Sequence, residues 1–497
     1  MSLRTRLGLA AVLCAALLAV PLAHAQKKDA AVIGMTLEPP GLDPTTAPAA
    51  AIGEIVHYNV LEGLTKIEMD GKVTPLLAES WSIEPDGKTY TFKLRKGVKF
   101  QDGEAFDSSD VKFSFDRARA PGSTNKAKKA VFDNIAAVTT PDPATVIVTL
   151  DNADGNFLFR MGENTAVILD PKSAATTATH PVGTGPFKFE DWKKGSSVTL
   201  AKWDGYRSAA AVKLKRVTFR FINDPAAQVA ALLAGDVDGI PRFGSPQSLK
   251  QFQSDPRFSV VVGGTEGKTI VAINNKRKPF DDVRVRRAIA AAIDRKALID
   301  GTQEGYGAPI GSHMVPSDAG YVDLTKVNPY DPEKAKALLK EAGVATPLDV
   351  TLTLPPPSYA RKGGEIVAAE LAKVGIDAKI ENVEWAQWLS GPFKGNFDLT
   401  IISHVEPLDF ATVYGDPKYY IGYDSKAFSD LLARYNEATN PKERLKLLGD
   451  IQRKIAEDCV NAFLFQLPQF SVANKHLKGL WSSSPVFAND MAAVRWE

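Results

Sequence analysis

Residues 73–118 hold the pattern that most restricts what this chain can fold into. Tyr90, Phe92 and Leu94 alternate with polar residues, which predicts a strand with one buried face. The preceding run Glu84-Pro85-Asp86-Gly87 is typical of a turn, because Pro and Gly supply the dihedral angles that turns require. A strand that enters from a tight turn is therefore predicted here.

Helix boundaries are marked at several further points. Asp107 stands where an N-cap is expected, with Asp110 near the free N–H groups of the first turn. Asp224-Pro225 offers an N-cap and an N1 proline, and Gly235 offers a helix stop. Further strand and helix patterns alternate at residues 145–150, 216–222, 283–299, 331–343, 367–375, 376–381 and 440–455. Such alternation predicts α/β domains with largely parallel sheets.

The N-terminus has the features of an export signal. Arg4 and Arg6 precede an apolar run at 7–20, and Ala23-His24-Ala25 ends in an A-x-A cleavage pattern. Residues 1–25 are therefore predicted to be a cleavable signal peptide, which places the mature protein outside the cytoplasm.

The charge balance limits the partners and the length limits the domain count. The chain has 60 basic and 58 acidic residues, and the signal peptide holds two arginines and no acid, so the mature chain has no net charge. Nucleic-acid binding needs a basic excess, so a nucleic-acid partner is not expected. Roughly 470 mature residues exceed what one hydrophobic core usually supports, which predicts two or three domains.

Cleavage of the signal leaves Cys459 as the only cysteine, so no intramolecular disulfide is possible. Ile451 and Ile455 precede it at four-residue steps. This spacing predicts that Cys459 lies on a buried helix face as a small hydrophobe, and not as a reactive thiol.

The segment at 73–118 closely resembles the signature of the family 5 extracellular solute-binding proteins. These proteins deliver peptides, nickel chelates and similar solutes to ATP-binding-cassette (ABC) importers. The resemblance covers essentially all of residues 32–470. Beyond the signature, it is carried by P-V-G-T-G-P-F at 181–187 and by the segments at 280–295, 328–343 and 371–376.

The resemblance implies the fold class and the domain limits. The expected fold is α/β, a two-lobed periplasmic binding protein (Venus-flytrap) with an extra subdomain inserted in lobe I. Lobe I would comprise residues 26–270 and 470–497, with the insertion at about 55–180. Lobe II would comprise 271–469, so the chain would cross the hinge twice.

No catalytic motif supports an enzyme. The sequence has no G-x-S-x-G, no H-E-x-x-H and no G-x-x-x-x-G-K-[ST] phosphate loop. Gly183-Thr184-Gly185 is followed by Pro186, which is unsuited to a phosphate-binding helix start, so a tight crossover between the lobes is predicted. Neither an enzyme nor a cofactor is expected.

No metal site is expected either, because the histidines are far apart in the chain and form no short-spaced ligand pair. The histidines considered are His57, His180, His313 and His404.

Trp385, in V-E-W-A-Q-W-L, matches the tryptophan that lines the ligand pocket of peptide-binding relatives. Its ring could stack on an extended ligand, and a packed core position is the alternative. Tyr359 is a further ligand-binding candidate.

The segment at 401–410 bears most directly on the ligand. In peptide-binding relatives, a carboxylate three residues before an acid-Pro pair neutralises the amino terminus of the peptide. Here Glu406-Pro407 is that pair, and Ser403 occupies the carboxylate position. A hydroxyl cannot offset an ammonium charge in a closed cleft, so ordinary peptide binding is not expected.

Other residues of this segment could take over part of that role. Glu406 or Asp409 could move in to supply the missing charge, although both could equally be surface or turn carboxylates. His404 could offer a hydrogen-bond donor or a pH-sensitive charge.

Taken together, the resemblance implies a monomeric periplasmic substrate-binding component of an ABC importer, with permease and ATPase subunits as partners. It would capture a small organic solute, peptide-like or a modified amino-acid or opine-like compound, between two lobes. A periplasmic sensor or a chaperone with the same fold is the alternative.

Overall fold

The computed structural model describes residues 28–47 and 49–497. The predicted signal peptide at 1–25 lies outside these residues. Among the helices of the described ranges, none combines the length and the apolar character that crossing a bilayer requires.

The strands form one eleven-stranded sheet, one four-stranded sheet and two short two-stranded pairs. Numbered along the chain, they are β1 (Ala30–Met35), β2 (Thr65–Ile67), β3 (Val73–Pro75), β4 (Ala78–Ile83), β5 (Thr89–Leu94), β6 (Ile135–Asp142), β7 (Thr145–Leu150), β8 (Phe187–Lys193), β9 (Ser197–Lys202), β10 (Arg216–Phe221), β11 (Gly239–Ile240), β12 (Phe258–Ile273), β13 (Ala308–Pro309), β14 (Leu348–Leu354), β15 (Ile376–Asn382), β16 (Leu399–His404), β17 (Ala462–Asn474), β18 (Leu477–Lys478) and β19 (Arg495–Trp496).

The helices cover the faces of these sheets. They are α1 (Ala50–Val56), α2 (Ser108–Arg119), α3 (Phe157–Arg160), α4 (Pro225–Ala234), α5 (Leu249–Ser254), α6 (Val283–Ala292), α7 (Arg295–Gln303), α8 (Pro332–Glu341), α9 (Ser358–Ala372), α10 (Trp385–Ser390), α11 (Phe410–Gly415), α12 (Lys426–Glu437) and α13 (Pro441–Glu457).

The large sheet joins two lobes. Its order is β15-β14-β16-β12-β17-β11-β1-β10-β9-β8, and β13 pairs with β17 outside this path. We use lobe I for the part built around β1 and β8–β11, and lobe II for the part built around β14–β16. The long strands β12 and β17 belong to both, because one end of each pairs within lobe I and the other within lobe II.

The prediction of largely parallel sheets is wrong for the centre of the molecule. Parallel pairs occur in each lobe, β1 with β10 and β14 with β15, but β12 is antiparallel to both β16 and β17. The reason is that β12 and β17 pass between the lobes in opposite directions.

The four-stranded sheet, in the order β4-β5-β7-β6, is antiparallel and forms a separate subdomain with α2. Tyr90, Phe92 and Leu94 on β5 are buried in its core, as their spacing predicts. Asp107 caps α2, and the Asp110 carboxylate accepts the backbone N–H of Asp107 in return.

The other predicted caps agree with the structure, and one helix prediction does not. Asp224 caps α4, and Gly235 ends it in the left-handed region. Cys459 is fully buried, as predicted, but it lies beyond the end of α13 with a φ of 45°. Burial raises the pKa of the Cys459 thiol to about 11, which keeps it protonated at neutral pH.

The Gly183-Thr184-Gly185 segment lies against the backbone at residues 59–60. A Cβ atom at Gly183 would be 2.0 Å from the Val60 carbonyl oxygen, and one at Gly185 would be 2.5 Å from the Asn59 carbonyl oxygen. Only glycine permits this approach, because backbone atoms cannot move aside as a flexible side chain can.

Substituting Gly183 with Ala should therefore destabilise the protein by about 1–3 kcal/mol, since the added methyl group overlaps backbone. Urea unfolding measures this change. Gly41→Ala is the control, because its Cβ would meet only ordinary contacts from 3.5 Å. Equal unfolding midpoints for the two variants would contradict the prediction.

Candidate ligand-binding cleft

Three adjoining cavities lie where the subdomain, lobe I and lobe II meet, and Pro407 lines all of them. The central cavity, of about 260 Å³, is lined by residues from all parts of the molecule. Its lining comprises residues 126 and 163–164 from the subdomain side, 242 from lobe I, 405–407 from lobe II, 265–266 and 467–468 from the β12 and β17 crossing, and 484–487 near the C-terminus.

The two neighbouring cavities differ in character. The side cavity, of about 340 Å³, has a mixed lining, in which the charged or polar groups Arg160, His404 and Asp409 stand among apolar side chains. The apolar cavity, of about 510 Å³, lies between Trp81 and Phe159 on one side and the α13 helix on the other. The cleft thus offers both polar and apolar walls to a solute.

A buried lysine organises the floor of this cleft. Lys268 on β12 is 1% exposed, and its ammonium lies 3.0 Å from Asp409 Oδ1 and donates to the Glu406 carbonyl oxygen at 2.6 Å. Asp409 also contacts His313 Nε2 at 2.9 Å and His404 Nδ1 at 3.2 Å. We call these four side chains the Lys268 network.

The charges of the network follow from burial and from mutual contact. Burial opposes the charged form of Asp409, but Lys268 and His313 outweigh it and lower the pKa of Asp409 well below its usual range. Burial likewise opposes the charge of Lys268, yet Asp409 and the nearby acids raise its pKa. Burial lowers the pKa of His313 to about 4, so this ring is neutral. An ionised Lys268–Asp409 pair is the result.

Acidic groups beside the network behave differently. Burial, reinforced by the neighbouring Asp318, raises the pKa of Glu266 well above its usual range. The pKa of Asp318 is also raised by burial. At the cavity wall, burial raises the pKa of Glu163 to about 7, because Arg160 and Lys126 offset it only partly. Burial thus favours the protonated forms of Glu266 and Glu163.

The structure brings His404, Glu406 and Asp409 to the cleft, since each lines at least one of the three cavities. Asp409 is already paired with Lys268, which leaves it no free charge to offer a solute. Glu406 is more open, and its carboxylate lies 3.7 Å from Lys126 Nζ.

The remaining candidates, Trp385, Ser403 and Tyr359, do not line these three cavities. The Ser403 backbone N–H donates to the Tyr359 hydroxyl at 3.2 Å, so these two residues are in contact. Trp385 is 41% exposed and packs edge-on against Trp388. Their roles in binding stay predictions.

Sequence reasoning missed Lys126, Glu163, Arg242, Glu266 and Phe487. Each comes from a different part of the chain, and none lies in a local pattern that points to binding. Only the packing of the subdomain against both lobes brings them together.

No metal site was expected because the histidines are far apart in the sequence, but the fold brings two of them together. His313 and His404 are far apart in the chain, yet they and Asp409 have ligand atoms within 4.8 Å of one another. All four ring nitrogens contact partners, however, with Tyr414 and Tyr420 hydroxyls on the sides away from Asp409, each at 2.8 Å. The Lys268 ammonium already supplies positive charge at this position, which disfavours a cation.

The comparisons with known proteins agree with this architecture. Residues 72–424 match the family described as bacterial extracellular solute-binding proteins, family 5. This match spans well over half of the chain. The chain belongs to the family 5 bacterial extracellular solute-binding proteins.

Individual relatives cover nearly the whole chain. The glutathione-binding protein GsiB of Escherichia coli O1:K1 / APEC is 28% identical, with 96% of both chains covered. The structure of AgaA from A. tumefaciens R10 in complex with agropinic acid is 28% identical, with a TM-score of 0.76 and 94% and 98% coverage. DppA from Helicobacter pylori, in complex with the peptide STSA, is 26% identical, with a TM-score of 0.77 and 95% and 98% coverage.

Replacing the buried Lys268 with an uncharged residue tests whether the stability of the protein depends on its charge. Lys268→Met should destabilise the protein by about 3–5 kcal/mol at pH 7, because Asp409 would remain buried without its partner. Asp409 has a lowered pKa in the native protein, so the stability it contributes is present above its usual pKa and is lost as the pH falls through the lowered value.

In the variant, the pKa of Asp409 rises and protonation relieves the unpaired charge, so the destabilisation should be smaller at pH 4 than at pH 7. Urea unfolding of both proteins at the two pH values measures this difference. Adding Asp409→Asn should recover part of the loss at pH 7. The pairing of Lys268 with Asp409 would be refuted if the loss of stability did not change with pH and if adding Asp409→Asn left it unaltered.

Proposed function

We propose that this chain is the periplasmic substrate-binding component of an ABC importer, which captures a small organic solute between its lobes and delivers it to the permease. The observation that carries the proposal is the cleft, in which the subdomain, lobe I and lobe II each contribute polar groups to one central cavity. The family as a whole binds solutes outside the cytoplasm. The proposal includes no covalent step and no cofactor.

The topology supports a two-lobed closing mechanism. We propose lobe I at 26–270 with 470–497, an insertion at about 55–180, and lobe II at 271–469. Chain passage between the lobes through β12 and β17 is consistent with these limits, because the register of the pair breaks between Gly264 and Lys268. A ligand that contacts both lobes would favour the closed form.

The ligands of the relatives suggest the kind of solute. GsiB is named for glutathione, AgaA was solved with agropinic acid, and DppA was solved with a tetrapeptide. We propose a peptide-like or modified amino-acid solute of this size. Ser403 supplies no countercharge for an ammonium group, but Glu406 lines the central cavity and could supply one.

We propose roles for the site residues on the basis of their contacts. We propose that Glu406 contacts the solute directly, whereas Asp409 and His404 hold the segment at 404–409 in position through the Lys268 network. Trp385, Ser403 and Tyr359 would contact the part of a solute that extends beyond the three cavities, with Trp385 offering a stacking surface.

Isothermal titration calorimetry with glutathione, agropinic acid and the peptide Ser-Thr-Ser-Ala tests the proposal. One of them should bind the mature protein with a stoichiometry of one and a micromolar or lower Kd, because the cleft offers a single central cavity. Denatured protein serves as the control. Failure of all three to bind a folded sample would contradict the proposed solute class.

Contacts that span the cleft would set how readily the lobes close. Asn156, from the subdomain, accepts hydrogen bonds from the Tyr435 hydroxyl at 2.7 Å and from Arg444 Nη2 at 3.2 Å, both in lobe II. Arg444 also donates to the Tyr435 hydroxyl at 3.0 Å. These three residues join the subdomain to α12 and α13.

Tyr435→Phe should weaken solute binding by about fivefold, the equivalent of about one hydrogen bond, because the closed form loses a contact. It should also enlarge the radius of gyration of the unliganded protein in small-angle X-ray scattering. Tyr423→Phe is the matched control, since the Tyr423 hydroxyl donates to Asp458 at 2.6 Å within lobe II. Identical behaviour of the two variants would show that the contact does not govern closure.

A further inference from the structure

Arg242 of lobe I is an incompletely paired cation at the wall of the central cavity. Its Nε and Nη2 atoms are shut off from solvent, and within the described residues neither has a hydrogen-bond partner. The Glu54 carboxylate lies 3.0 Å from Nε but is not aligned to accept its hydrogen. Buried N–H groups of a guanidinium are costly to leave unpaired, so a missing acceptor is indicated.

The surroundings of Arg242 favour an anion as that acceptor. The ring of Phe487 lies 5.5 Å from the Arg242 guanidinium carbon and 5.8 Å from Lys126 Nζ, so two cations flank one aromatic ring. Both cations line the central cavity, as Phe487 does. The aromatic ring keeps water from one side of each charge, which strengthens their attraction for an anion.

Each of the two cations has one carboxylate neighbour, Glu54 at 3.0 Å from Arg242 and Glu406 at 3.7 Å from Lys126. The other acids of the cavity add little further negative charge. Burial raises the pKa of Glu266 well above its usual range and the pKa of Glu163 to about 7, which weakens the negative charge that these two acids bring to the cavity. The Glu266 carboxyl group shares a hydrogen bond with that of Asp318, so a proton on Glu266 is held between these two acids.

We propose that Arg242 binds a carboxylate of the solute in the central cavity, with Lys126 contributing a second positive charge, and that the solute is therefore an organic acid of the amino-acid or peptide-conjugate type. This inference rests on the proposed function and adds its anchoring residue. The planar guanidinium suits a carboxylate, because it can donate two parallel hydrogen bonds.

The test compares glutathione with its diethyl ester, in which both carboxylates are neutralised, on the mature protein. Arg242→Gln should weaken glutathione binding at least about tenfold, since a charge-assisted hydrogen bond is removed. It should also reduce the preference for glutathione over the ester. Arg242→Lys, which keeps the positive charge, should lose less affinity for glutathione than Arg242→Gln does. Thermal unfolding establishes that each variant folds.

Arg361→Gln is the matched control. Arg361 is also paired with one carboxylate, Glu384 at 3.1 Å, and also has a buried Nε without a partner, but it does not line the three cavities. Its variant should bind glutathione as the wild type does.

The possible outcomes distinguish between the proposed role of Arg242 as a carboxylate anchor and the proposed function of the protein. If Arg242→Gln binds glutathione as tightly as the wild type, the anchor is wrong and the proposed function stands. If Arg242→Gln weakens the binding of glutathione and of its diethyl ester by the same factor, Arg242 has only a structural role. This result also overturns its proposed role as the carboxylate anchor. If the wild type binds neither glutathione nor agropinic acid nor the tetrapeptide, all of which are acids, both proposals fail.

Discussion

The antiparallel pairing of β12 with β17 is the interaction on which the rest of the structure depends. These strands are the centre of the large sheet, and each contributes one end to lobe I and the other to lobe II. Their register breaks between Gly264 and Lys268, next to the point where Thr265 and Glu266 face the central cavity. The register shifts a second time between Thr269 and Ile270. The irregular part of this strand pair therefore joins the lobes and also places side chains in the cleft.

Buried charge is the second feature that shapes the cleft. The acids around Lys268 have pKa values shifted in opposite directions, because Asp409 is directly paired with Lys268 and Glu266 is not. The pairing fixes the segment at 404–409 against β12, so that Glu406 alone of its acids remains open to the cavity. Neutral His313 completes the arrangement without adding charge. Such a site can recognise a charged solute, since its own charges are held in fixed positions before the solute arrives.

Much of the local structure could be predicted from the sequence. The burial of Tyr90 and Phe92, the cap at Asp107 and the limits of α4 all follow from spacing and capping chemistry, which act over a few residues. The predictions failed where distant segments decide the outcome. Antiparallel pairing at the centre of the sheet depends on two strands almost two hundred positions apart in the printed sequence, and Cys459 leaves the helix because the chain must turn into β17.

The sequence by itself determined the family and the two-lobed α/β fold, and it predicted a binding role for the segment at 401–410, of which residues 404–409 line the cavities. Only the tertiary structure decided which side chains share the cavity. Arg242, Lys126 and Phe487 have no common pattern in the sequence, and they meet because the subdomain and the C-terminal segment pack against lobe I. The physical reason is that secondary structure depends on neighbours along the chain, whereas a cleft between lobes is lined by whichever surfaces the packing of separate cores brings together.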